Sequence, residues 1–411
     1  MTGPAGRAPA DLGYVPADPA FIADPYPALA RLRADAPVAY DEPTGQWLVS
    51  RFADVDGLLR DRRLGRTFLH VASTVEWGRP EPPAWQDPFW RLQRNQLIDM
   101  EPPDHTRLRR LVLSAFTPRT VASQRPRIQG IVDGLVDRAR GRGEFDLLGD
   151  LIEDLPVTVI ADMLGIPEAD RGRLRPWAAD ITLMFELWLP ESAQRRAAGA
   201  SAEFTAFMED LVRERRLRPG EDLLSDLIRV AETGDALSDD EVVATAVLLL
   251  NAGHEASVNG AGNSWWALFR HPAALARLRA EPDLVTTAVD ELLRFDTPAP
   301  MFERWALEDV EVGGVSIPRG QELALLFASA NRDAAAFEHA DEIVLDRRPN
   351  PHVAFGAGIH FCLGAPLARL ELDILYRAIV ERLPTLELVA EPRWKPRFVL
   401  RGLESLQVRI A

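Results

Sequence analysis

The chain has one cysteine, Cys362, in 411 residues. A lone thiol excludes an internal disulfide framework and suits a reducing compartment, so a cytoplasmic protein is expected. No uninterrupted apolar run approaches the ~20 residues of a membrane-spanning helix, and none is expected. The N-terminal stretch MTGPAGRAPADLGY has no basic segment followed by an apolar one, so no signal peptide is expected. Positive charge is in deficit: 47 basic residues against 62 acidic ones leave a net charge of −15. Nucleic acid needs a basic face, so it is not an expected partner. There is no internal repeat or low-complexity tract. Apolar residues make up 47% of the chain, enough for a large core. The length allows two domains or one large α-rich enzyme.

What the chain does have centres on that cysteine, in HVAFGAGIHFCLGAPLAR, His352 to Arg369. Gly356, Gly358 and Gly364 bracket Cys362, and glycine permits positive φ and close approach of another surface. Pro366 suits a first helical turn, and Leu367–Leu375 has helical apolar spacing. The cysteine therefore sits in a glycine-lined loop before a helix. Amide N–H groups and the helix dipole are expected to lower its pKa and make it a soft ligand for iron. A phosphate-binding GxGxxG loop is the rival reading. It fails because the third glycine is out of register and no adequate strand precedes Gly356.

Phe355, Gly356, Gly358, His360, Cys362 and Gly364 form F-G-x-G-x-H-x-C-x-G. This resembles the haem-binding loop of the cytochrome P-450 superfamily, of the soluble bacterial type. The resemblance implies a mainly α fold with a small β portion. Residues 1–18, rich in Pro, Gly and Ala, are expected to be a loose arm, and 19–411 one haem-thiolate domain. Cys362 would ligate the iron of haem b.

Other motifs follow in the family's order. MEPPDHTRLRRLVLSAF opens a helix, with Asp104 a plausible N-cap and His105 and Arg109 on one face. By resemblance, His105 and Arg109, with Arg304 and His360, hold the haem propionates. A long helix is expected from about Asp239 to Arg270, with LLLNAGHEAS at its centre. Ala252, Gly253 and Glu255 match the family's oxygen-activation pattern A-G-x-[Asp/Glu]-Thr. Ala256 replaces the threonine, and a hydroxyl follows one residue late at Ser257. Gly253 could let the helix bulge and turn Ser257 inward, an ordered water or a substrate hydroxyl could fill the gap, or poor protonation could leak peroxide or divert the chemistry; the second is the expectation. Glu291 and Arg294 form E-x-x-R and are expected to pair with the segment holding Asn331–Asp333, Arg347 and Arg348.

Thr67–Met100 is proline-rich with five large aromatics and reads as a long functional loop. It supplies Trp85, Phe89 and Trp90 to an expected substrate pocket. Ile181–Leu189 is unusually apolar and by resemblance belongs to a mobile lid over the substrate channel; its Phe185 and Trp188, with Leu248, Pro300, Met301 and Phe302, complete that pocket. The implied reaction is monooxygenation of a small, largely apolar molecule in secondary or catabolic metabolism, by a monomer using O2. NAD(P)H electrons would arrive through a ferredoxin reductase and an acidic ferredoxin, docking on a patch of Arg62, Arg63, Arg107, Arg110 and Arg347. Oxidative coupling, desaturation or dealkylation, or a non-catalytic haem sensor or carrier, are the alternatives.

Overall fold

Ser238 starts a 32-residue helix, Asp239–Arg270. Its hydroxyl accepts the Glu241 N–H at 3.1 Å, and the Glu241 carboxylate accepts the Ser238 N–H at 2.8 Å. This reciprocal cap satisfies two donors that a helix start leaves open, and the acids of the first turn oppose its dipole. The helix is apolar on most sides and is correspondingly buried. Helices Asp154–Met163, Leu174–Thr182, Glu191–Leu217 and Val285–Phe295 pack around it. The structure is a computed structural model that describes residues 7–231 and 237–411, the side chains of Ser114 and Ala115 excepted.

The β portion is small, and its largest sheet packs outside the main helical cluster. Its five-stranded sheet runs Val38–Asp41, Gln46–Val49, Glu322–Leu325, Phe302–Ala306, Leu64–Gly65. Only the pairing of Gln46–Val49 with Glu322–Leu325 is parallel; the others are antiparallel. Strand Phe302–Ala306 carries Arg304, and Leu64–Gly65 leads into Arg66, so the sheet delivers two cations to one place. A three-stranded sheet joins Glu144–Asp146, Gln407–Ile410 and Leu386–Leu388, and Val310–Val312 with Val315–Ile317 forms a hairpin. The architecture is mainly α with a small β portion, as the sequence implies.

Two expectations change. Residues 7–18 are not a loose arm: Pro9–Leu12 forms a helical turn, and Leu12 and Tyr14 are buried with Phe21 and Phe398. Residues 1–6 of that arm, and 232–236 of the polar connection before Ser238, lie outside the described residues. Thr67–Met100 is not structureless, for it contains a turn at Ala84–Gln86, the helix Asp87–Arg94 and a turn at Leu97–Asp99. Pro88 occupies the first turn of that helix, where its missing N–H costs nothing.

Candidate active site: the cysteine loop and the long helix

A ladder of hydrogen bonds leads from Arg294 to Cys362. Arg294 donates to the Asn331 carbonyl at 2.7 Å. The Asn331 side chain accepts the Val353 N–H at 2.8 Å. Val353 accepts the Gly356 N–H at 2.8 Å, and the Cys362 N–H closes the loop on the Phe355 carbonyl at 2.9 Å. Gly358 has φ +67°, and a Cβ there would lie 2.3 Å from the Leu59 carbonyl oxygen, so only glycine fits. Helix Ala365–Arg382 starts directly after Gly364.

The thiol does not behave as the loop chemistry predicts. Burial pushes the Cys362 pKa up, and the opposing pull of the Gly364 and Ala365 amides and of Arg109 and Arg369 does not overcome it. Cys362 nonetheless remains reachable by solvent. Desolvation of the anion outweighs the amides, so the protein alone favours a thiol here.

A polar cluster adjoins the loop. The His105 ring is 4.4 Å from the His360 ring. His105 is 1% exposed, and both its ring nitrogens are buried without a partner. Burial, with His360 and Arg109 adding to it, lowers its pKa to about 4, so the ring is neutral. Arg304 is 3% exposed, and its Nη1 donates to the Glu303 carbonyl at 2.8 Å. Among the described residues no carboxylate lies within ion-pair distance of it. Burial, with Arg66 beside it, lowers its pKa to about 9. His360 meets Glu101 at 3.2 Å. Arg109 donates to the Phe361 carbonyl at 2.7 Å.

Glu101 and Arg66 are site residues that the sequence reading missed. Burial opposes a charge on Glu101, but His360 and the Arg66 N–H hold its carboxyl below the usual range. Arg66 contacts Asp99 at 3.1 Å and Glu303 at 3.4 Å. These acids absorb Arg66 and leave Arg304 as the cation without an acidic partner.

On the long helix, Leu248, Ala252, Gly253, Ala256 and Ser257 stay accessible while nearly all its other central residues are buried. A Cβ on Gly253 would meet nothing within 4 Å. An open stripe of small residues therefore runs along a helix that is otherwise core. The helix is continuous α through Gly253, so no bulge turns Ser257 inward. Glu255, three residues on from Ala252, borders the stripe. It is 5% exposed, and Lys395 Nζ meets its Oε1 at 2.8 Å, with Arg397 at 3.7 Å. Lys395 is the only lysine in the chain.

A sequence profile of the family described as Cytochrome P450 matches residues 175–396. The chain belongs to the cytochrome P450 family. Monooxygenase PikC of Streptomyces venezuelae is 39% identical over 97% of this chain and 94% of its own length. The 6-deoxyerythronolide B hydroxylase of Saccharopolyspora erythraea is 37% identical over 95% of this chain and 97% of its own. The solved P450BioI, bound to an acyl carrier protein carrying hexadec-9Z-enoic acid, superposes with a TM-score of 0.89. It is 35% identical and covers 95% of this chain and 100% of its own. This P450 is thus an oxidoreductase of the monooxygenase class, from a family that uses haem-thiolate and O2.

The site residues present fit that group. A reachable sulfur, an orphaned buried imidazole, a buried guanidinium without an acid and an open stripe of small residues are the features a flat dianionic macrocycle with iron requires. The expected substrate pocket holds together less well. Phe89 and Met301 are 2% and 0% exposed and belong to the core. Pro300 is buried too, and Trp188 is 48% exposed on the outside. Phe185 packs on the N-terminal cluster, and Trp85 lies under Arg195 at 4.4 Å. Trp90, Leu248 and Phe302 remain partly accessible, with Phe302 beneath Arg66. The basic patch is also smaller than expected, since Arg347 is bound to Glu291 at 2.9 Å and Arg107 to Glu241.

Proposed function

We propose that this P450 oxygenates a small, largely apolar molecule, using haem b and electrons delivered from NAD(P)H by a separate ferredoxin and its reductase. The observation that carries the reading is the coexistence of the reachable Cys362 sulfur with the unpaired His105 and Arg304. Cys362 is the ligand, and His105 and Arg304 take the propionates, with Arg109 and His360 supporting them. Arg304 supplies a cation that no protein acid satisfies, so an incoming carboxylate gains a charge-assisted bond without displacing one. Bound there, a haem-thiolate pushes electron density from sulfur to iron and favours O–O cleavage. The apolar stripe of Leu248, Ala252, Gly253 and Ala256 suits an apolar substrate and keeps bulk water sparse. Glu255, held as a carboxylate by Lys395, relays the protons that oxygen chemistry consumes, and an ordered water stands in for the hydroxyl missing at Ala256.

Relatives named for polyketide biosynthesis and for nocardicin C N-oxygenation support a place in secondary metabolism. Ferredoxin docking is supported by Ile359 and Phe361, which are exposed beside Cys362, and by the exposed Arg62 and Arg110. The test is a titration of the ferric protein with a library of small apolar compounds, watching the Soret band. Binders should shift it blue as iron-bound water leaves. A library in which only polar or charged members shift the band would overturn the substrate class.

A further inference from the structure

We propose that Lys395 is a positioning residue for Glu255, and that the hairpin carrying it joins the long helix to the lid segment through Glu186. The inference rests on the proton-delivery role given to Glu255 above. Residues 393–404 form the hairpin, with an antiparallel bridge between Trp394 and Leu403 and the Lys395 N–H on the Gly402 carbonyl at 2.9 Å. Glu255, Asn259 and Asn263 are spaced by four and share one face of the long helix. All three read this hairpin. Lys395 Nζ contacts Glu255 at 2.8 Å and Asn259 Oδ1 at 3.2 Å. Asn263 donates to the Arg401 carbonyl at 3.1 Å. A Cβ on Gly402 would lie 2.1 Å from Asn259 Oδ1, so the hairpin lies directly on the helix.

The hairpin tip is held from the other side. Glu186 lies between helices Leu174–Thr182 and Glu191–Leu217, in the segment the sequence marks as a lid. Its carboxylate accepts the N–H groups of Phe398, Val399 and Leu400 at 3.0, 3.1 and 3.0 Å. The returning strand is fixed by Arg401, which donates to the Ile22 and Ala23 carbonyls and pairs with Asp296. A displacement of the lid therefore acts on the tip, residues 398–400, and reaches Lys395 along the strand that leads into that tip, while the returning strand stays anchored.

The consequence for Glu255 follows from its surroundings. Lys395 and Arg397 face it from the hairpin. On its own helix His254 approaches at 4.0 Å, and Arg175, itself paired with Glu153, lies near His254. Burial opposes a charge on Glu255, and Lys395 outweighs it. Removing Lys395 leaves only the more distant Arg397 against the burial, so the carboxylate takes a proton from solvent at a higher pH. Proton loading at Glu255 is thereby tied to the lid movement that admits a ligand.

The test is an infrared pH titration of the purified holoprotein. It follows the protonated-acid C=O stretch that Glu255→Gln removes. Lys395→Met should raise the midpoint by about one pH unit or more, the usual effect of losing an adjacent opposite charge. Lys395→Arg should restore most of the shift, which a merely structural role would not require. Glu186→Ala should move the midpoint the same way by less. Should Lys395→Met fail to fold, Lys395→Gln serves, since it keeps a donor for Asn259. An unmoved midpoint in the Lys395 variants, or a wild-type midpoint in Glu186→Ala, overturns the proposal. The carbon-monoxide spectrum that tests the haem-thiolate reading is independent of this titration.

Discussion

Arg294 and Glu291 form a two-bond pair in which each contact is 2.8 Å and neither side chain is exposed. Glu291 also accepts the Val344 N–H at 2.8 Å, and Arg294 reaches the Ala340 and Glu342 carbonyls. One residue further along this ladder is Asn331, which supports the cysteine loop. The pair thus fixes a segment that local propensity alone would leave irregular.

Glu291→Ala or Arg294→Ala should purify with substoichiometric haem. Glu291→Ala leaves the buried Arg294 without an acid, at a cost of ~3–5 kcal/mol, whereas Arg294→Ala leaves Glu291 to Arg347 alone and should cost less. Haem-to-protein ratio and thermal unfolding measure this. Fully loaded, wild-type-stable variants would contradict it.

Arg304→Met has effects of opposite sign in the two forms of the protein. It removes a buried cation without an acid, so the apoprotein should unfold at a higher temperature. It also removes a charge-assisted bond worth ~1.5–3 kcal/mol, so haem should transfer to apomyoglobin about ten- to a hundredfold faster. His105→Phe should likewise speed transfer. Unchanged transfer in both variants would place the propionates elsewhere.

Ser257→Ala should leave coupling of NAD(P)H use to product nearly unchanged, whereas Glu255→Gln should lower coupled turnover about tenfold or more. Product and peroxide yields per NAD(P)H decide it. Loss of coupling in Ser257→Ala alone would make the serine the proton donor.

Burial alone pushes the Glu371 carboxyl up to about 8. The folded state then holds a proton that the unfolded state has released above about 4.5. Stability should therefore fall as pH rises from about 4.5 through about 8, and Glu371→Gln should flatten that slope. Denaturant midpoints at the two ends of the window measure it; equal slopes would contradict it.

The parts of the site that were legible in the sequence are those written in short spacings. The cysteine loop, E-x-x-R and the capped long helix each carry their signal within about a dozen residues. Glu101, Arg66 and Lys395 come from separate elements that only folding brings together. Glu101 stood in the E-P-P-D stretch, and Lys395 stood out as the only lysine; neither signal named a partner. The thiol pKa was misjudged because amide donors are visible in a loop sequence and desolvation is not. Arg347 was placed both in the segment that Glu291 pairs with and in a surface patch; the pairing with Glu291 takes it out of the patch. Pro88 read as a loop residue although it starts a helix.

The central claim is that Cys362 binds the haem iron as a thiolate. The carbon-monoxide difference spectrum of freshly reduced native protein tests it most directly. The account predicts the far-red-shifted Soret band of thiolate ligation and its loss in Cys362→Ser. A band at the histidine-ligated position in the native protein, or an unchanged spectrum in Cys362→Ser, would contradict it.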